Sequence, residues 1–191
     1  MSSETRHRLS IALEVGEPAR AALMQAVEPL MATYPGLRWT EPELWYVEVC
    51  ALGAVLADRI AEVDAVVEDV AGHHAPLALR LDGGAGIEDG CALFAGVRHS
   101  DELTLLREEL VGRFEAAGLP VEGDEFLPHC VLGRAPGGTR LPPAMARSFR
   151  GPLVTWTVRG LLVVRTRLRL GGVAREVRST HPFGLPVAVA R

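Results

Sequence analysis

Residues 125–134 read EFLPHCVLGR, and this stretch decides how the rest of the chain is interpreted. Pro128 favours an extended backbone at the preceding residue, because its ring clashes with a helical conformation there. His129 follows directly, and an apolar run then ends at Gly133. The stretch therefore predicts a short strand that presents one histidine near its start. Since histidine changes charge near neutral pH, His129 is a candidate catalytic residue.

The composition is that of an ordinary globular protein. The chain has 191 residues, 48% of them apolar and 23% charged, which predicts one unit with a sizeable core. All 20 basic residues are arginine and the net charge is −4, so we do not expect binding to extended nucleic acid or to an anionic membrane. The polar N-terminus predicts neither a signal peptide nor a membrane span, and we expect a cytoplasmic protein.

The cysteines give no sign of a metal site or a disulfide framework. Cys50, Cys91 and Cys130 are widely separated and lack the spacing of metal ligands. We expect three reduced thiols, no metal and no organic cofactor. The sequence does not indicate an oligomeric state.

Hydrophobic periodicity predicts alternating strands and helices. Apolar residues recur at every second position in predicted strands at 8–15 and 44–52, and further strands are predicted at 76–82, 91–97, 153–158, 160–170 and 173–180. They recur at helical spacing over 17–34, 54–71 and 101–117, the last capped by Ser100 or Asp101. We expect a glycine-rich turn at Gly83, Gly84 and Gly86, a hairpin turn at Gly171-Gly172, and a tail over 182–191.

The order strand, helix, strand occurs over residues 8–53 and again over 92–134. Tyr46 follows Leu9 by 37 residues, and His129 follows Leu93 by 36. Two such units facing each other predict one two-lobed α+β domain over 1–191, with two antiparallel sheets around a central cleft and helices outside. The alternative is that the similar spacing arose by chance.

Polar side chains would enter this cleft from both units. Residues i and i+2 of a strand share a face, so Tyr46 projects with Glu48, and His129 with Val131. A solvated outer face is the alternative for Tyr46 and Glu48.

Arginines also alternate along one of the last strands, at positions 165, 167 and 169. They are either exposed edge residues with ion-pair partners or, if their face is the cleft, a site for an anionic group.

Three segments resemble one family: RLSIALEV at 8–15, LRWTEPELWYVEVCALG at 37–53, and PHCVLGR at 128–134. They resemble the two-histidine phosphoesterases, named for 2′-5′ RNA ligase and RNA 2′,3′-cyclic phosphodiesterase. The resemblance covers residues 8–180. It implies the bilobal fold of that family, with a small-molecule or nucleotide-like ligand in the cleft. In the family, two His-x-Thr motifs supply a general base, a general acid and two hydroxyls that bind the phosphate.

The chain departs from this pattern at three of four positions. Tyr46 stands at the first histidine position and Glu48 at the first threonine position. His129 is kept as the second histidine, but Val131 replaces its threonine. The resemblance implies that His129, Tyr46 and Glu48 are the catalytic candidates, with Val131 as a ligand contact.

Three arginines are candidates for binding an anionic ligand. Arg134 closes the second motif segment, Arg167 falls where the family tends to carry an arginine near the cleft, and Arg165 falls where an acidic residue is expected. An arginine at position 165, where an acidic residue is expected, suggests that Glu48 and Arg165 have exchanged roles and pair with each other. Arg167 is the alternative partner for Glu48.

The altered motifs leave three interpretations open. Tyrosine titrates near pH 10 and is a poor base, and a carboxylate at position 48 would repel a phosphate by roughly 4 kcal/mol at about 4 Å. The first interpretation is a repurposed acid/base enzyme that acts on a small molecule through His129, Tyr46 and Glu48. The second is a catalytically inactive, ligand-binding relative. The third is a residual cyclic phosphodiesterase that uses His129.

Overall fold

A computed structural model describes residues 5–123, 126–137, 139–169 and 172–184. Within these ranges the strands are β1 (Arg6–Glu14), β2 (Arg38–Trp39), β3 (Tyr46–Leu56), β4 (Leu77–Glu88), β5 (Ala92–Val97), β6 (His129–Arg134), β7 (Thr155–Val158), β8 (Gly160–Arg169) and β9 (Gly172–Pro182). The helices are α1 (Glu17–Thr33), α2 (Ile60–His73), α3 (Asp101–Ala116) and α4 (Pro143–Ser148). None of these helices is both long and apolar enough to cross a membrane.

The strands form one curled antiparallel sheet in the order β7-β4-β5-β6-β3-β1-β8-β9, with β2 added to β6. At its centre, β3 and β6 are joined in the described residues by a single pair, Val47 with Cys130. The sheet therefore consists of two halves, β7-β4-β5-β6 with the short β2 on one side of this pair and β3-β1-β8-β9 on the other. The predicted α+β class with two antiparallel sheets is confirmed, and the structure adds that the two sheets are continuous.

The core lies between the sheet and the helices. Leu9, Ile11 and Leu13 of β1 are buried on the face that also packs Leu23 of α1 and Leu106 of α3. Alternation along β1 sends Ala12 to the opposite face, where it packs in a separate small cluster with Tyr46 and Val164. The centre of the sheet thus has one face covered by helices and one face that carries the motif residues.

The predicted glycine-rich turn is wrong, because Gly83, Gly84 and Gly86 lie inside β4. Gly83 has a φ of +82°, within a stretch where the pairing with β5 shifts register. A Cβ at Gly86 would overlap the Phe94 ring. The turn instead falls at Asp89 and Gly90, both with positive φ. Because β4 continues through the glycines, it carries Glu88 to the centre of the sheet.

Two other predicted boundaries move. The second strand passes through Gly53, at a φ of +64°, and pairs with β1 as far as Leu56, so α2 begins at Ile60 instead of residue 54. The last strand extends to Pro182.

The predicted cap of α3 is confirmed, since the Ser100 hydroxyl accepts a hydrogen bond from the Leu103 amide at 3.2 Å. Gly171 and the tail beyond residue 184 lie outside the described residues, and the internal repeat stays a prediction.

Candidate functional site

The two motif strands meet at a small pocket in the centre of the sheet, which we call the motif pocket. Its walls include Tyr46 and Glu48 of β3, Glu88 of β4, His129, Val131 and Arg134 of β6, and Arg175 of β9. Its volume is about 40 Å³. An open groove of about 600 Å³, which we call the side groove, adjoins it, because Glu48, Glu88 and His129 line both. The apolar side chains of the side groove include Val49, Ile87, Phe94 and Phe126.

Both ring nitrogens of His129 face hydrogen-bond acceptors. Its Nδ1 lies 2.7 Å from the carbonyl oxygen of Leu127, and its Nε2 lies 3.4 Å from Oε1 of Glu88. The second oxygen of Glu88 accepts a hydrogen bond from Arg134 at 3.3 Å. The Phe94 ring packs against the imidazole at a centroid distance of 4.6 Å. Since two acceptors require two N–H groups, this geometry favours the protonated imidazolium.

The pKa values of this pair agree with the geometry. Burial alone would lower the pKa of His129, but the hydrogen bonds to Glu88 and Leu127 and the negative charges of Glu88 and Glu48 outweigh it and raise the pKa above its ordinary value. The hydrogen bond from His129 holds the pKa of Glu88 below its usual range, against the effect of burial. An ionised Glu88 therefore stabilises a proton on His129.

Tyr46 is a buried hydrogen-bond donor and a poor base. Its side chain is 7% exposed, and its hydroxyl has no hydrogen-bond partner among the described residues. Burial raises the pKa of Tyr46 to about 12, although the nearby Arg175 opposes the shift. The Arg175 guanidinium lies over the tyrosine ring, 5.3 Å from its centroid. At neutral pH the hydroxyl thus keeps its proton.

Glu48 is exposed at the rim of the motif pocket, and in the described part of the chain it makes no hydrogen bond or ion pair. Arg165 and Arg167 instead pair with Glu176, at 3.6 and 2.8 Å, and line a separate groove beside Arg8. The predicted pairing of Glu48 with Arg165 or Arg167 is therefore wrong, because both arginines pair with Glu176 instead.

The reason for this correction is the register of β8. It places Arg165 opposite Leu9, on the helix-covered face, while Val164 lies opposite Ser10 on the other face. Arg165 and Arg167 do share one face, as the alternation predicted, but that face is turned away from Tyr46 and Glu48.

Two charged residues of the motif pocket were missed by reasoning from the sequence. Glu88 follows the glycine-rich stretch, for which the sequence predicts a turn, whereas the structure places Glu88 at the end of β4. Arg175 lies on β9 opposite Thr166 of β8, next to Val164, which packs with Tyr46. Counting every second residue from Val164 across the β8–β9 hairpin predicts only weakly that Arg175 shares the face of Val164. The reason is that the β8–β9 pairing shifts register between Val163 and Val164.

No group of three histidine, cysteine or acidic side chains suited to a metal ion occurs among the residues that the structure describes. The three thiols are free, and burial raises the pKa values of Cys50 and Cys130 to about 12. Cys50 and Cys130 are therefore inert core groups rather than nucleophiles.

The comparison with family models decides the family. The model of the 2′-5′ RNA ligase superfamily matches residues 49–169. The chain belongs to the 2′-5′ RNA ligase superfamily. The match includes His129 and begins just after Tyr46 and Glu48, so the predicted loss of the first motif is not tested by it. No curated protein matches the chain in sequence.

Solved structures confirm the superfamily fold. TT0787 of Thermus thermophilus is 25% identical, with a TM-score of 0.72, over 93% of this chain and 98% of that one. Escherichia coli LigT complexed with 3′-AMP is 16% identical, with a TM-score of 0.72, over 95% of this chain and all of that one. LigT complexed with ATP is 18% identical, with a TM-score of 0.66 and the same coverage. At these lower identities the likeness to LigT is one of fold.

Proposed function

We propose that this member of the 2′-5′ RNA ligase superfamily is a repurposed acid/base enzyme that acts on a small molecule in the central cleft. The observation that carries the proposal is the His129–Glu88 pair, which keeps a proton on His129 in the same pocket as the unpaired Glu48. A proton donor and a carboxylate acceptor that share one pocket are the minimum for proton-transfer chemistry.

Each catalytic candidate has a role that its surroundings support. His129 is the proton donor, and ionised Glu88 stabilises its charged form. Glu48 meets the proton-bearing group of the substrate, because its carboxylate has no protein partner in the described residues. Tyr46 donates a hydrogen bond from a hydroxyl that stays protonated. Val131 and Arg134 line the pocket as ligand contacts.

The pocket is poorly suited to the family's cyclic phosphodiester chemistry. That reaction needs a second histidine as base, and Tyr46, with a pKa raised to about 12, cannot serve. Val131 offers no hydroxyl to a phosphate oxygen. Glu48 lines the pocket without an ion-pair partner in the described residues, and its negative charge opposes a phosphodiester anion.

The superfamily fold supports a small ligand in this cleft. The E. coli protein is complexed with 3′-AMP in one structure and with ATP in another. For this chain we propose a small-molecule or nucleotide-like ligand, without a resident cofactor and without extended nucleic acid. A cytoplasmic location stays a prediction.

Two other functions each have one observation in their favour. A ligand-binding protein without turnover is favoured by His129, because both of its ring nitrogens are already engaged. A residual cyclic phosphodiesterase is favoured by Arg134 and Arg175, whose guanidinium groups lie in the motif pocket and suit an anion.

One experiment separates the three functions. The protein is incubated with a mixture of small metabolites, and separately with nucleoside 2′,3′-cyclic phosphates, and consumption is followed by mass spectrometry. The proposal expects consumption of at least one non-phosphodiester compound by the wild type, reduced at least about 100-fold in His129→Ala. Hydrolysis of the cyclic phosphates that depends on His129 would establish the phosphodiesterase instead.

A matched control removes the structural explanation for lost turnover. His73 is an exposed histidine outside the motif pocket and the side groove, so His73→Ala should retain wild-type turnover. Circular dichroism of both variants checks that they fold. Binding of a metabolite without consumption of any compound would establish the inactive binder.

A further inference from the structure

The motif pocket contains two unpaired groups of opposite charge. The Glu48 carboxylate and the Arg175 guanidinium both line it, and neither makes an ion pair with a described residue. The other charges of the pocket contact one another, since Glu88 contacts both His129 and Arg134, and with His129 protonated they leave one net positive charge. An anionic ligand would meet one of the unpaired groups favourably and the other unfavourably, and so would a cationic one.

A buried tyrosine with an unpaired hydroxyl packs beneath Arg175 in the wall of the pocket. Tyr46 is only 7% exposed, and its hydroxyl has no hydrogen-bond partner in the described protein. Arg175 lies over the same ring. A buried polar group without a partner is unfavourable, and a guanidinium binds a carboxylate through charge-assisted hydrogen bonds.

The volumes limit what enters each part of the site. The motif pocket, at about 40 Å³, has room for about three water-sized groups. This suits a carboxylate and its attached carbon better than a phosphodiester with two ester arms. The side groove, at about 600 Å³, falls in the range of small-molecule sites, and Phe94 and Phe126 give it apolar walls.

From these observations we infer that the motif pocket binds the head group of an amino-acid-like zwitterion. The ligand's carboxylate meets Arg175 and the Tyr46 hydroxyl, its ammonium meets Glu48, and its apolar body lies in the side groove. This inference rests on the proposed function and deepens it, because it names the proton-bearing group at Glu48 as an ammonium. It also gives a reason for a glutamate at a position where a phosphate-binding site would exclude one.

Three compounds with the same body and different charges test the inference. L-phenylalanine carries both charges, phenethylamine only the ammonium, and 3-phenylpropionate only the carboxylate. Isothermal titration calorimetry at pH 7 should show L-phenylalanine binding at least about tenfold more tightly than either analogue. Equal or tighter binding of a single-charge analogue overturns the inference. So does a failure of every L-amino acid, in a panel of aliphatic and aromatic side chains, to bind at millimolar concentration.

Two variants should reduce the preference for the zwitterion, one by removing the negative charge of the pocket wall and the other by removing its positive charge. Glu48→Gln should weaken L-phenylalanine about tenfold and strengthen 3-phenylpropionate, because the repulsion of its carboxylate is removed. Arg175→Gln should weaken L-phenylalanine about tenfold and leave phenethylamine bound as well or better. The exposed residues Glu43 and Arg178 lie outside the pocket, so Glu43→Gln and Arg178→Gln should change nothing. Unchanged affinities in Glu48→Gln overturn the inference.

Failure of the inference is distinguishable from failure of the proposed function, because these measurements need no turnover. Zwitterion-selective binding without consumption of any metabolite supports the inference and rejects the acid/base enzyme. Turnover that depends on His129, together with binding of single-charge compounds only, supports the acid/base enzyme and rejects the inference. Should Arg175→Gln not fold, the three compounds on the wild-type protein still decide the result.

Discussion

The two sides of the motif pocket differ in how completely their polar groups are paired. On the β6 side, His129 has an acceptor at each ring nitrogen, and Glu88 has a cation at each oxygen. On the β3 side, the Tyr46 hydroxyl and the Glu48 carboxylate have no partner among the described residues. The paired side has a fixed geometry and protonation state. The unpaired side has unused hydrogen-bonding capacity, so the difference separates the groups that are positioned by the protein from the groups available to a ligand.

The largest effect should come from removing the unpaired charge. Glu48→Gln should strengthen the binding of adenosine 2′,3′-cyclic phosphate by about 10- to 100-fold, because a repulsion of roughly 1–3 kcal/mol between an exposed carboxylate and the phosphate is lost. Isothermal titration calorimetry at low salt measures the change, and salt should reduce it. Glu43→Gln is the matched control. Affinity that stays the same would mean that phosphate does not approach Glu48.

The fold was predictable because its signals are local and repeated. Period-2 alternation in β1 and helical spacing in α3 each involve several residues, so one exception does not change the assignment. The meeting of Tyr46, Glu48 and His129 in one pocket followed from the motif segments. The predicted exchange between Glu48 and Arg165 was wrong, because alternation defines which residues share a face but not which face points to the cleft.

The paired partner of His129 could not be read from the sequence for a different reason. Glu88 comes 41 residues before His129 and reaches it only because glycines let β4 continue through an irregular stretch. Glycine-rich stretches are typical of turns, and only tertiary pairing with β5 shows that this one is a strand. Local propensity was overridden by the sheet.

A smaller effect should come from the unpaired hydroxyl. Tyr46→Phe should raise the free energy of unfolding of the ligand-free protein by about 1–2 kcal/mol, because a buried hydroxyl without a partner is removed while the ring is kept. Urea denaturation followed by fluorescence measures it. Tyr34→Phe is the control, since Tyr34 is only partly buried and its hydroxyl is not among the unpaired buried groups. A loss of stability in Tyr46→Phe would show that the hydroxyl is bonded in solution.

The paired side should show its contribution as a pH dependence. Glu88→Gln should lower the free energy of unfolding by about 1 kcal/mol, with the largest difference from wild type between about pH 4.5 and 6.5. The pKa of His129 is raised, so its contribution is complete below 6.5 and is lost as pH rises through the folded value. The pKa of Glu88 is lowered, so its contribution is complete above 4.5 and is lost as pH falls through the folded value.

The exposed pair of Glu62 with Arg59 provides the control for this pH dependence. Arginine does not titrate in this range, and the hydrogen bond from Arg59 lowers the pKa of Glu62. The difference between wild type and Glu62→Gln should therefore fall only at acid pH and stay level from pH 6 to 8. A difference for Glu88→Gln that also stays level from pH 6 to 8 would show that His129 is not the titrating partner.

The smallest effect is expected for the exchange that the sequence suggested. Charge reversal at both sites, Glu48→Arg with Arg165→Glu, should give a coupling energy below about 0.5 kcal/mol, because Arg165 faces Glu176 across the β8–β9 hairpin and not Glu48. The matched cycle, Glu176→Arg with Arg165→Glu, should give a coupling of about 0.5–1 kcal/mol, as for a partly exposed ion pair. Urea denaturation of the single and double variants and the wild type measures both. A larger coupling for Glu48 than for Glu176 would place Arg165 in the cleft, and the β3 side of the pocket would then be paired after all.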